Sequence, residues 1–251
     1  MPQMPIHSRT LAAIALCAAW PAQALVAGDL MFTSFNADAD RWTVVALAEL
    51  APHTTVFFSD NAWDGAAGLF VGSESHHRWD SGPGLITAGT VVRFSHTDSA
   101  TLLAASSGSL SRARVAGSST YDLSQSAETL YAYAGSGATM PSVFITALST
   151  GGFAPAVGGL AGTGLVAGVN AVQLAMGSDF ADYAGSRSGS AALQFQALTA
   201  APGSWTDLGD GLHTAQAARL STFEVTAVPE PSTVGLALAG LGVLGAWRWR
   251  R

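Results

Sequence analysis

The sequence predicts a mainly β protein: a β-sandwich with long Gly/Ser-rich loops, then a separate hydrophobic helix at the C-terminus. Three observations predict it. Short runs of β-branched and aromatic residues are spaced by Gly, Ser and Asx turns. Helical character is nearly confined to one stretch after Ser190. An uncharged Ala/Leu/Gly/Val run from Val234 to Trp247 stands apart from everything before it.

The elements follow in order. Leu30 to Phe35 is β-prone, and Asn36-Ala37-Asp38-Ala39-Asp40 is a turn, because short Asx side chains bond nearby amides. Trp42 to Leu50 returns as a strand with Trp42 packed inside. Ala51-Pro52-His53 turns it. Thr55 to Ser59 is the clearest strand of the chain, stopped by Asp60-Asn61. Asp64 to Gly84 reads as a Gly/Ser-rich loop holding His76, His77 and Trp79. Val91 to Ser95 is a strand, and Leu102 to Ser119 is loop with one weak strand. Thr129 to Tyr133 and Val143 to Ala147 are two more strands, parted by Gly135, Gly137 and Pro141. Gly151 to Gly168 is loop, and Asn170 to Leu174 is a short strand. Ser178-Asp179 is read as capping a helical turn through Tyr183. Ala191 to Ala200 is a helix with Ser190 as N-cap. Phe223 to Val225 is the last strand. No internal repeat is visible.

The first hundred residues are similar to the lamin-tail fold. The shared pattern is strand, Asx turn, aliphatic strand, then Thr55-Val56-Phe57-Phe58-Ser59-Asp60-Asn61, an aromatic at Trp63, and Ala88-Gly89-Thr90 before a valine strand. The resemblance implies an immunoglobulin-like or related β-sandwich.

Both chain ends carry transport chemistry. Arg9, an apolar run from Leu11 to Trp20, the breaker Pro21 and small residues at Ala22-Gln23-Ala24 read as a signal peptide, residues 1–24, cut after Ala24. Leu16 is too bulky to precede a lipidated cysteine, so Cys17 leaves with the signal. The mature chain then has no cysteine and no disulfide. At the other end stand Val228-Pro229-Glu230-Pro231-Ser232-Thr233, the apolar run and Arg248-Trp249-Arg250-Arg251. This order resembles the PEP-CTERM sorting signal of Gram-negative bacteria, over residues 228–251. The resemblance implies processing by an exosortase-type membrane protease near Pro229, Glu230 and Pro231. The apolar run, at ~1.5 Å per residue, makes a helix of ~21 Å against a hydrocarbon core of ~30 Å, which suits a transient rather than permanent span. Trp247 and Trp249 suit the headgroup layer, with the arginines on the cytoplasmic side. The protein is expected to cross the inner membrane, be held there by its C-terminus, and reach the cell surface or extracellular matrix.

Between the signals, residues 25–227 form one exported domain with 16 Asp/Glu and 7 Arg, a formal charge of −9. The chain has no lysine. Such a domain is a poor partner for nucleic acid. It is compatible with neutral polysaccharide, with divalent cations, or simply with solubility.

Candidate chemistry is sparse. Asp60, Asn61, Asp64, His76 and His77 could supply oxygen and imidazole ligands at a sheet edge, with Asp60, Asp64 and His76 the expected metal set. Adjacent His76 and His77 cannot both point the same way from an extended strand. The bland alternative is that Asp60 and Asn61 merely end the strand. Asn36, Asp38 and Asp40 begin like a calcium loop, but Arg41 stands where an EF-hand needs Gly, and Leu47 where it needs Glu. A looser Ca2+ site from side chains and loop carbonyls stays open beside a plain hairpin turn; no motif calls for any other cofactor. Gly158 to Gly164 lacks the lysine of a phosphate loop, and no Gly-x-Ser-x-Gly occurs. Trp63 and Trp79, beside the polar loop, are expected to be exposed and to stack on sugar rings; the alternative puts them in the core. The sequence therefore points to a non-enzymatic, structural or glycan-binding protein of the surface or exopolysaccharide matrix. The alternative is a secreted metal-dependent hydrolase using the 60–77 loop.

Overall fold

In the computed structural model, residues 24–201 and 203–226 are described. The expected signal peptide up to residue 23, Pro229, Glu230, Pro231 and the 234–247 helix lie outside the described residues. The strands are β1 (Leu30–Asn36), β2 (Arg41–Ala46), β3 (Thr55–Ser59), β4 (Ala62–Asp64), β5 (Leu69–Val71), β6 (His76–Asp80), β7 (Val91–Ser95), β8 (Ala104–Ala105), β9 (Ser109–Arg112), β10 (Thr129–Gly137), β11 (Met140–Ser149), β12 (Val172–Gln173), β13 (Phe180–Tyr183), β14 (Ser188–Ser190), β15 (Trp205–Asp207) and β16 (Glu224–Thr226). The single α-helix among the described residues is α1 (Ala191–Thr199).

Two six-stranded sheets carry the fold, in the orders β15-β13-β1-β2-β7-β8 and β12-β11-β10-β3-β6-β9. Side chains from both meet in one core: Leu30, Phe32, Val44 and Phe94 from the first, Val56, Phe58, Leu130 and Ile145 from the second. Phe58 packs against Trp42 and Phe94 with ring centroids 5.5 and 4.9 Å apart, which fixes the two layers face to face. A bulge between Phe32 and Ser34 lets Phe32 and Phe35 share this core although an unbroken strand would put them on opposite faces.

The second sheet is also covered on its outer face. Phe57, Tyr131, Tyr133 and Phe144 form a second apolar cluster there with Trp63 and Leu165. Its cover is the β4–β5 hairpin together with the loop that follows β11. Burial on both faces explains why β3 reads as a continuous apolar run rather than an alternation.

Three expected elements are corrected. The Asp64–Gly84 stretch is not one loop: it holds β5 and β6, and its turn is closed by Asp64 capping the amides of Ala66 and Ala67 and by Gly68 at φ 67°. Ser178-Asp179 starts no helical turn. Phe180–Tyr183 pairs with β1 and β15 instead, because two ladders outweigh a local cap. The strand after Trp42 stops at Ala46, where the amides of Leu47 and Ala48 turn to the carbonyl of Asp29. The helix is where the sequence places it, with Ser190 Oγ accepting from the Leu193 amide at 3.3 Å. The Asn36 turn also stands, with Asn36 Oδ1 accepting from the Ala39 amide.

Candidate functional site

Asp60 and Asn61 end β3 by binding the chain that leads into β6. Asp60 Oδ1 accepts from the Ser75 amide at 2.6 Å and Asn61 Oδ1 from the Glu74 amide at 3.0 Å, while Asn61 Nδ2 donates to the Ser75 carbonyl. Asp64 is committed elsewhere, to its own hairpin turn. The two histidines part as strand geometry requires. His76 faces the outer cluster, with Nδ1 3.1 Å from the Tyr133 hydroxyl and its ring against Phe70. His77 faces the inter-sheet core, its ring against Trp42 and Nε2 donating to the Thr97 carbonyl at 3.1 Å. Asp60, Asp64 and His76 thus do not form one ligand set. Among the described residues no three His, Cys, Asp or Glu side chains stand close enough to hold a metal ion.

What Asp60 does have is an acidic neighbour that the sequence reading missed. Asp60 and Glu128 are both buried, and the Asp60 charge helps to raise the pKa of Glu128. Burial pushes Asp60 up to about 8, with the charge of Glu74 adding to it and the Ser75 bonds opposing it. Burial, then the Asp60 charge, holds Glu128 well above the usual carboxylate range, although its oxygens accept from the amides of Ser124 and Thr129. Asp60 Oδ2 has no hydrogen-bond partner. Burial pushes His76 and His77 the other way, each down to about 4. All four shifts favour the uncharged form, as a low-dielectric interior demands. These four buried side chains are thus held toward their uncharged forms.

The expectation for Trp63 and Trp79 is overturned. Trp79 is 0% exposed and Trp63 7%. Trp79 lies in the inter-sheet core against Phe94, and its Nε1 donates to the Ser107 carbonyl at 2.8 Å. Trp63 closes the outer cluster against Phe70 and Phe144, with Nε1 donating to the Ala161 carbonyl at 3.0 Å. Neither presents a flat ring to solvent. The polar composition around them misled, because their covers come from residues far along the chain.

A cleft lies at the opposite end of the β3–β6 pair, with a cavity of about 670 Å³. Its walls are the turn before β3, the segment from Ser81 to Ile86 and the β8–β9 connection. His53 Nδ1 donates to Asp80 Oδ1 at 3.2 Å, and the Gly82 amide donates to the same oxygen at 2.9 Å. These bonds, the Gly82 amide first, hold the Asp80 carboxyl below its usual range. His53 sits at φ 58°, held there by its amide bond to the Gly82 carbonyl at 2.7 Å. Gly108 lies so close that a Cβ would stand 2.1 Å from the Asp80 carbonyl oxygen, so only glycine lets the β8–β9 connection form this wall. Nothing local in the sequence marks His53; only the strand register brings Asp80 beside it.

Residues 227–251 match the PEP-CTERM protein-sorting motif. The chain carries a PEP-CTERM sorting signal. The motif points to an exported protein that is handled by an exosortase and held at the membrane by its C-terminus before sorting. The match covers the tail alone and leaves the domain unassigned. No curated protein and no solved structure matches the chain. No helix among the described residues is long and apolar enough to cross a membrane.

Proposed function

We propose that this PEP-CTERM protein is a non-enzymatic component of the cell surface or exopolysaccharide matrix, structural or glycan-binding in role. The signal peptide sends residues 25–227 across the inner membrane. The 234–247 helix holds the protein there briefly, and an exosortase-type protease acts near Pro229-Glu230-Pro231. The domain is an immunoglobulin-like or related sandwich, it uses no cofactor, and nucleic acid is not among its partners.

The observation that carries this reading is the sorting motif at residues 227–251. The domain supports it by its commitments. Asp60, Asp64 and His76, which a hydrolase would have needed together, are each engaged in holding loops or the outer cluster. No observation favours the hydrolase alternative. The excess of acidic residues keeps such a domain soluble among hydrated neutral polymers.

The test is processing. Replacing Glu230 and Pro231 by alanine should leave the protein uncut and membrane-bound, read by membrane fractionation and intact mass. Maturation at the parent's rate would remove the sorting reading.

A further inference from the structure

We propose that the cleft around His53 and Asp80 is a carbohydrate site that receives an uncharged, hydroxyl-rich saccharide. This rests on the surface or matrix reading and gives it a location other than Trp63 and Trp79.

Three independent features converge there. The first is the cavity, whose size falls in the range of small-molecule sites. The second is an oriented polar pair. Asp80, an acceptor, holds His53 through Nδ1, which leaves Nε2 outside that bond. The His53 side chain is 66% exposed, so that nitrogen is within a ligand's reach. The third is backbone strain. A non-glycine residue in the left-handed region persists only where its surroundings hold it, and such residues gather at binding sites. Here the Gly82 carbonyl holds it.

The chemistry of the lining selects the ligand class. Asp80 Oδ2 has only Arg78 Nη2 nearby, at 3.6 Å, beyond hydrogen-bonding distance. It can accept from a ligand hydroxyl. Among the described residues the hydroxyls of Ser107 and Ser109 have no protein partner, and each can donate and accept. Leu85 is 40% exposed at the edge, offering an apolar surface to C–H groups. Acceptors, two-way hydroxyls and a small apolar patch match the alternating O–H and C–H faces of a sugar. An anionic sugar would meet the Asp80 carboxylate inside an acidic domain. A cationic ligand would compete with Arg78 and His53 for the same carboxylate.

The experiment is affinity electrophoresis of the full chain in detergent, through gels containing dextran, xylan or mannan, with alginate as the anionic comparison. Three variants accompany it. Asp80→Asn keeps the shape of the side chain. His53→Asn removes the imidazole, yet asparagine tolerates the left-handed backbone. Gly84→Leu fills the cleft where an added Cβ meets nothing within 4 Å. The expected result is retardation by at least one neutral polysaccharide, weakened about tenfold in Asp80→Asn, since a hydrogen bond to a charged group is worth roughly that much, and clearly weakened in the other two variants. Melting temperatures should stay close to the parent's. Absence of retardation by all three neutral polymers overturns the site. So does parent-like retardation of all three variants, or a preference for alginate. The variants do not touch the tail, so a normally processed protein that binds no glycan sinks the cleft alone. A protein that binds glycan but ignores the Glu230-Pro231 replacement sinks the sorting reading alone.

Discussion

Asp60 and Asp80 stand at opposite ends of one strand pair and behave as opposites. Asp60 follows the last residue of β3, and Asp80 is the last residue of β6, paired with Thr55 at the start of β3. Asp60 is 2% exposed, has an unpartnered oxygen and a second buried acid beside it, and its pKa is pushed up. Asp80 opens onto a cleft, accepts from His53 and an amide, and its pKa is drawn down. The same side chain on the same ladder favours its proton at one end and its charge at the other. What differs is the cover. The chain around Leu123 and Glu128 packs into one end, while three glycines and a proline leave the other open. A closed polar end maintains fold; an open one can meet a ligand.

The largest effect expected from breaking this contrast is at Trp79, next to Asp80 yet wholly in the core. Trp79→Ala should cost about 3–5 kcal/mol in urea or guanidinium unfolding, the range for a buried aromatic. A cost under about 1 kcal/mol would mean that the open end reaches the core.

Next is Asp60→Asn. The fold raises Asp60 from 3.8 to about 8, so the folded state binds the proton more tightly than the unfolded chain. Its contribution is greatest below about pH 4 and is lost as pH rises to about 8. The asparagine keeps the Ser75 bond and cannot ionise. It should flatten this alkaline loss and leave the variant more stable than the parent at pH 8, by about 2–4 kcal/mol. A parent and variant with parallel stability-versus-pH curves would show that Asp60 is not held neutral.

His77 sharpens the comparison from the acid side. Its pKa falls from 6.5 to about 4 in the fold, so stability is lost as pH drops between those values. His77→Gln, which cannot charge, should remove part of that slope, about 1 kcal/mol per pH unit at most. Unchanged acid unfolding would assign the slope to other groups.

The smallest effect is expected at Asp80→Asn. The carboxylate is drawn down by the Gly82 amide first and then by exposed His53 and Arg78, so its stabilising charge is lost only when pH falls below the usual carboxylate range. The melting temperature at neutral pH should barely move. A drop as large as that of Trp79→Ala would make Asp80 a structural residue and close the cleft as a candidate site.

Much of the fold was legible. Strands at Leu30, Thr55, Val91, Thr129 and Val143 announced themselves by β-branched and aromatic density, and the helix by Ser190 and the run behind it. The site was much less legible. His76 and His77 were correctly separated by strand period, but the strand they sit on was hidden in Gly/Ser composition. Glu128 carried no local sign of partnership with Asp60, because the pair is joined by burial rather than by spacing. Trp63 and Trp79 looked exposed because their nearest sequence neighbours are polar, while their covers are Ala161 and Ser107.

By itself the sequence determined the address of this protein and its β character, because a sorting tail is contiguous chemistry and a strand is a short, local pattern. Only the tertiary structure decided which polar groups are buried, which tryptophans are core, and that His53 meets Asp80. Those outcomes depend on segments brought together across the chain, and burial, not residue type, sets whether a carboxyl prefers its proton or its charge.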